Sequence, residues 1–201
     1  MAKILITRHG QTKRNVEGIV QGPDHGDINE EGFKQIAKLI KRLEKENISK
    51  IISSDIPRCV ITSKEILKKI KVPIVYTSLI REKDNGELIG RHHKEINWND
   101  FGSDFETRKA PNGENLLEVK ERSRKFFKEL LEEFKDSKET ILVVSHGAFL
   151  KILIGDLLGM SLSDSIFKLF IEHCSITEIE LSSKYSSGYQ IKTLNEKNHL
   201  L

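Results

Sequence analysis

Two stretches decide how this chain is read: ILITRHGQT at residues 4 to 12 and ILVVSHGAF at residues 141 to 149. Each begins as an apolar run of the kind expected for a central strand covered on both faces, and each delivers His-Gly where the run ends. Glycine permits a tight turn there, so both histidines are expected at the carboxyl end of a strand. Further β-rich runs extend the pattern, giving KILIT (3 to 7), KIISS (50 to 54), VPIVY (72 to 76), TILVVS (140 to 145), SITEIEL (175 to 181) and YQIKTL (189 to 194). Helical patterns lie between them. In GFKQIAKLIKRL (32 to 43), Phe33, Ile36, Ala37, Ile40 and Leu43 follow the three-four spacing of one buried face. Ile56, Cys59, Val60, Ser63, Ile66, Leu67 and Ile70 repeat it, as do Leu116, Val119, Ser123, Phe126, Phe127, Leu130 and Phe134. Strands alternating with amphipathic helices predict an α/β fold, a three-layer α/β/α sandwich with a mostly parallel central sheet. Ligands in such sheets bind beyond the carboxyl ends of the strands, the edge to which both His-Gly dipeptides are assigned.

The length of 201 residues suits one domain spanning 1 to 201. With 37% hydrophobic and 31% charged residues, the chain is too apolar for disorder. Its formal net charge of +3 is spread along helix faces such as KLIKRLEKEN (38 to 47), with no basic block interleaved with aromatics, so nucleic acid is not expected as a partner. Cys59 and Cys174 lack CxxC spacing and read as buried free thiols of a reducing cytoplasm. The opening apolar run is too short for a signal peptide, and no run approaches the roughly 20 residues of a membrane span, so a cytoplasmic protein without a membrane partner is expected. From 84 to 113 the periodicity is weak and Gly, Asn and Asp recur. Such a stretch reads as irregular chain with short helical turns, a lid or substrate-binding excursion.

A strand-end histidine alone can simply cap a helix or hydrogen-bond a loop. Two of them, with Arg8 beside the first, call for another account. Internal duplication is a poor one, because QTKRNVEGIVQG after the first and AFLKILIGDLLG after the second share only the turn. Convergence on one site explains the pair better. A neutral imidazole whose other nitrogen is held as a donor can attack phosphorus and form a phosphohistidine. The reaction needs arginine forks for the phosphoryl oxygens and an acid for the leaving oxygen. SSDIPRCVITS (53 to 63) and LIREKDNGE (79 to 87) each follow a predicted strand and carry these groups toward the same edge.

Together, RHGQTKRN (8 to 15), QG (21 to 22), SSDIPR (53 to 58), LIRE (79 to 82), NGEN (112 to 115) and VVSHG (143 to 147) resemble the histidine phosphatase superfamily, the phosphoglycerate-mutase-like group, in the family's order and over nearly the whole chain. The resemblance implies the phosphoglycerate-mutase-like fold and a phosphomonoester hydrolase acting on a small anionic phosphorylated metabolite. It implies that His9 is the nucleophile that becomes transiently phosphorylated, that Arg8, Arg58 and His146 line the phosphate pocket, and that Glu82 is the proton donor. Asn15, Gln21 and Gly22 match positions that contact phosphate or substrate, and Gly147 would present backbone N–H near the pocket. No metal and no organic cofactor is implied for hydrolysis.

Plainer readings compete at several positions. Asp55 could pair with Arg58 at a helix start, Glu82 between Arg81 and Lys83 could be a solvated charge, and Asn15 could be a turn or cap residue. His25 has no assigned role. Adjacent His92 and His93 rarely chelate one metal alone, and no Cys or third His lies at ligand spacing, so they read as loop surface facing substrate. His173 and His199 read as structural or exposed. The alternative activity is a cofactor-dependent phosphoglycerate mutase using 2,3-bisphosphoglycerate, whose relatives carry a longer insertion after the acid with paired arginines. Here only Arg108-Lys109 could correspond. Arg91, His92, Lys94, Arg108 and Lys109 would then tune which anionic substrate is accepted. A catalytically silent phospho-ligand-binding module is the third reading, and it leaves the proton donor without a purpose. SITEIEL and YQIKTL are expected as edge strands that could pair two copies into a homodimer.

Overall fold

The computed structural model describes residues 1–201. One sheet is built from β1 (Ala2–Arg8), β2 (Ile48–Ser54), β3 (Ile74–Thr77), β4 (Thr140–Ser145), β5 (Ile176–Leu181) and β6 (Tyr189–Glu196), in the order β3-β2-β4-β1-β5-β6. Every β-rich run of the sequence is a strand. β3, β2, β4 and β1 are mutually parallel, whereas β5 is antiparallel to β1 and β6 is antiparallel to β5. β5 lies between β1 and β6, so it is not an edge strand as expected, and β6 alone closes that side.

Side-chain alternation fixes the two central strands. Ile4 and Ile6 of β1 and Ile141 and Val143 of β4 enter one core layer, while Leu5, Leu142 and Val144 enter the other. All seven are buried. Full burial of such a side chain is worth roughly 1.5–3 kcal/mol, and a one-residue slip would send every one of them to the wrong layer. The register is therefore strongly specified, and it pairs Arg8 with Ser145 at the carboxyl end.

The helices are α1 (Lys13–Glu17), α2 (Glu30–Leu43), α3 (Pro57–Leu67), α4 (Leu116–Phe134), α5 (Gly147–Leu157) and α6 (Leu162–Lys168). α4 starts at an Asn115–Glu118 capping box and buries the face that its spacing predicts. On α2 the buried stripe is Gly32, Ile36, Leu39 and Leu43, while Phe33 is 45% exposed and Ala37 is exposed, so the predicted face is rotated. The cause is Gly32, whose hydrogen lies so close to the chain before α1 that a Cβ there would sit 2.2 Å from the Gln11 carbonyl oxygen. α5 is apolar almost all round because it lies buried between neighbours, among them α4 and α6, and so it shows no three-four stripe.

Residues 84 to 113 hold short 3-10 turns at Gly86–Leu88, His93–Glu95 and Trp98–Phe101. Backbone bonds from Gly90 to Val20 and from Val20 to Arg91 tie this excursion to the loop after α1. It forms part of the wall of a cavity at the carboxyl edge of the sheet. No helix is long and apolar enough to cross a membrane.

Candidate active site

The Arg8–Ser145 pairing brings the two His-Gly turns side by side. His9 N–H donates to the Ser145 carbonyl at 3.0 Å, and the His9 and His146 ring centroids lie 5.3 Å apart. His9 Nδ1 is 2.8 Å from the Gly10 carbonyl oxygen. A carbonyl can only accept, so Nδ1 carries the hydrogen and Nε2 keeps its lone pair. Burial first, then the charges of Arg58 and its other basic neighbours, pushes the His9 pKa well below its ordinary 6.5. The ring is neutral at pH 7.

Arg58 enters from the first turn of α3, where Pro57 starts the helix without needing an N–H partner. Its Nη1 donates to the Gly22 and His25 carbonyls at 3.1 and 3.2 Å, and its Nε donates to His146 Nδ1 at 3.1 Å. His146 Nδ1 is therefore an acceptor, so Nε2 bears the hydrogen, 2.8 Å from Ser54 Oγ. Both ring nitrogens are engaged by protein groups and His146 is fully buried, outside the cavity lining. In this structure His146 is not turned to the cavity as expected; it accepts from the Arg58 guanidinium. Burial and the nearby arginines keep it neutral, as an acceptor must be.

Arg8 donates through one terminal nitrogen to the Ile171 carbonyl at 2.9 Å, while its buried Nε has no protein acceptor. Its guanidinium lies against Gly147, where a Cβ would come within 3.2 Å of Cζ. Glu82 follows a short 3-10 turn and accepts from the N–H groups of Lys83, Ala148 and Phe149 at 3.1, 3.1 and 3.0 Å. The carboxylate thus sits at the start of α5 and is not a free surface charge. Asp55 is bound by Arg81 through two 2.6 Å bonds, which leaves Arg58 without it.

Asn15 and Gln21 both line the cavity; Asn15 Oδ1 accepts from the Thr12 backbone N–H at 3.1 Å and Gln21 Oε1 from the single hydrogen of the Thr12 hydroxyl at 2.9 Å, so their amide NH₂ groups are the ends left for a ligand. Gly22 does not line the cavity; it contributes its carbonyl to Arg58. Of the residues expected to tune the substrate, Arg108 alone is in the lining. His92 packs against Gly18, Lys109 pairs with Glu118 at 2.6 Å, and Arg91 and Lys94 are exposed outside it. His93 takes the place given to its neighbour. His199 bonds the Cys174 carbonyl, a structural contact.

Two residues of the centre escaped the sequence reading. His173 is buried, with its ring 5.3 Å from that of His9 and its Nδ1–H donating to the His9 carbonyl at 3.0 Å; burial pushes its pKa down to about 3. Arg122 of α4 donates to the carbonyls of Leu79, Arg81 and Glu82 at 3.0, 2.7 and 3.1 Å while forking onto Glu114, and so fixes the backbone that carries the Glu82 carboxylate. In the sequence it is one charge among many on that helix. The cavity has a volume of about 480 Å³. No cluster of three or more His, Cys, Asp or Glu side chains is placed to hold a metal ion.

A family model for the histidine phosphatase superfamily, branch 1, matches residues 4–197. The chain belongs to the histidine phosphatase superfamily. It is 33% identical over 98% of its length to a probable phosphatase of Schizosaccharomyces pombe, covering 95% of that protein. A probable phosphoglycerate mutase of Escherichia fergusonii is 28% identical, with 100% of this chain and 95% of the relative covered. Among solved structures, YhfR of Bacillus stearothermophilus superposes with a TM-score of 0.88 at 25% identity, with 100% of both chains covered. As a member of the histidine phosphatase superfamily this protein is a phosphatase-type enzyme.

Proposed function

We propose that the protein hydrolyses small anionic phosphomonoesters through a phosphohistidine formed on His9. The observation that carries this is the His9 ring itself, neutral, locked by Nδ1–H on its own loop, with Nε2 left unpaired in a cavity that Arg8 and Arg58 also line. In the first step a bond forms from Nε2 to phosphorus as the ester P–O bond breaks, and Glu82 delivers a proton to the leaving oxygen. Water then attacks the phosphohistidine, Glu82 accepts its proton, and the P–N bond breaks to release inorganic phosphate and neutral His9. Arg8 and Arg58 balance the charge of the transferring group, and the amides of Asn15 and Gln21 and the backbone at Gly147 contact its oxygens or the rest of the substrate. His146 contributes through Arg58. The scheme requires neither a metal nor an organic cofactor, and it suits a cytoplasmic enzyme whose buried thiols Cys59 and Cys174, raised in pKa by burial, stay reduced.

A phosphoglycerate mutase using 2,3-bisphosphoglycerate is the second reading, favoured by Arg108 in the cavity wall and by the mutase-like relative. A silent binding module is disfavoured because Glu82 is held by three backbone donors beside the arginines. Incubation with p-nitrophenyl phosphate and a chelator across pH 5 to 8 should release nitrophenol. No turnover with or without chelator would remove the hydrolase reading. Interconversion of 3- and 2-phosphoglycerate that outpaces phosphate release and depends on the bisphosphate would select the mutase.

A further inference from the structure

Beyond its phosphate end, the cavity changes character. Apolar side chains reach it from separate segments: Ile19 and Val20 after α1, Trp98 and Phe105 from the excursion, and Phe167 and Phe170 at and just past the end of α6. Phe167 is 71% exposed and Phe170 62% exposed. Large apolar groups left open in a soluble protein are informative when they are contiguous and rim a pocket. Here they continue directly into the site that holds His9. Phe105 and Phe167 lie with ring centroids 5.3 Å apart and tilted by 34°, and the Arg108 guanidinium lies 5.2 Å from the Phe105 centroid. The volume is that of a pocket for a drug-sized molecule, far more than a phosphate fills.

Cations in the lining also outnumber acids. Arg14, Lys83, Arg108 and Lys151 join the two catalytic arginines, and Glu82 is the one carboxylate. Lys83 lies 5.1 Å from the centre of the Trp98 ring and donates to Asn85 Oδ1 at 3.0 Å, so its ammonium is already engaged by protein groups. A glycerate-sized leaving group would leave the phenylalanines in water. A flat apolar group attached through oxygen to the phosphate would cover them and bring a dianion to the arginines at the same time.

Resting on the hydrolase reading above, we propose that the preferred substrates are phosphomonoesters whose leaving group carries an extended aromatic body, which lies against Phe105, Phe167 and Phe170 while its phosphate sits between Arg8 and Arg58. The other occupants of an exposed apolar rim, a second copy of the chain or a partner protein, would not need it to be continuous with the nucleophile's cavity.

Phenyl phosphate and 1-naphthyl phosphate test this, because their leaving phenols are of similar acidity and differ mainly in one ring. The expected result is a kcat/KM for the naphthyl ester about fivefold or more above the phenyl ester, expressed mainly in KM. In the double variant Phe167→Ser, Phe170→Ser the ratio should fall toward one. Equal kcat/KM for the two esters, or a ratio unmoved in the variant, overturns the substrate assignment and leaves the hydrolase intact. Failure of both esters and of p-nitrophenyl phosphate, with no acid-labile label on the protein, overturns the hydrolase and this inference with it.

Discussion

At the end of β1, His9 gives Nδ1–H to its own loop and keeps Nε2 free; at the end of β4, His146 has Nδ1 on Arg58 and Nε2–H on Ser54. Both rings are buried, both are kept neutral by burial and neighbouring cations, and both follow an apolar strand with a glycine behind. The difference lies in what the second nitrogen finds. The same local sequence leaves one ring with an uncommitted lone pair and the other with both nitrogens bound, and the proposed nucleophile is the ring with the free nitrogen.

The comparison breaks most completely at His9. His9→Ala should lower kcat by about 10⁴-fold or more and abolish acid-labile phosphorylation of the protein in rapid-quench labelling. Retained label would move the nucleophile elsewhere. Glu82→Gln comes next, with an expected loss of about 10²–10⁴-fold on esters of alkyl alcohols and a smaller loss on p-nitrophenyl phosphate, whose phenolate leaves without a proton. A uniform loss across leaving groups would deny Glu82 the role of acid.

His146 is the sharpest test of the pair. His146→Ala should cost about 10²-fold in kcat/KM by freeing Arg58, and most of that loss should disappear in an Arg58→Ala background. Additive losses in the double-mutant cycle would mean that His146 meets the phosphate directly. The smallest effect is on stability. The buried histidines His9, His146 and His173 have folded pKa values below the ordinary 6.5, so the unfolded chain binds protons that the folded chain does not. Their contribution is complete above about pH 6.5 and is lost as pH falls from there, toward about 3 for His173. Tm should therefore drop between pH 7 and pH 5, and His173→Asn should shallow that drop; an unchanged slope would place the coupling elsewhere.

Much of this was legible in the chain because burial on both faces writes itself as an unbroken apolar run. That is why β1 and β4 and the His-Gly turns stood out, and why the regular face of α4 read directly. α2 misled because Ile36, Leu39, Ile40 and Leu43 allow two overlapping stripes, and the choice between them is made by backbone contact at Gly32, a long-range fact. α5 carried no stripe because it has no solvent face. In the site, residues tied to chemistry by type were found, whereas Arg122 and His173 act through carbonyls far away in sequence and leave no local mark. The apolar end of the cavity was invisible for a related reason: the letters of FKLF (167 to 170) do not say whether a phenylalanine points into a core or stands open beside it.

The Arg8–Ser145 register has one more consequence. Because both histidines stand one residue beyond the last paired positions of β1 and β4, the hydrogen-bond ladder acts as a ruler that measures out the distance between the two rings. Residues added inside either strand would shift one mark against the other, whereas residues added to the excursion at 84 to 113 would leave both where they are. The spacing of the two histidines is thus insulated from change in that excursion, and under the proposed function the fold could vary what it accepts without moving its nucleophile.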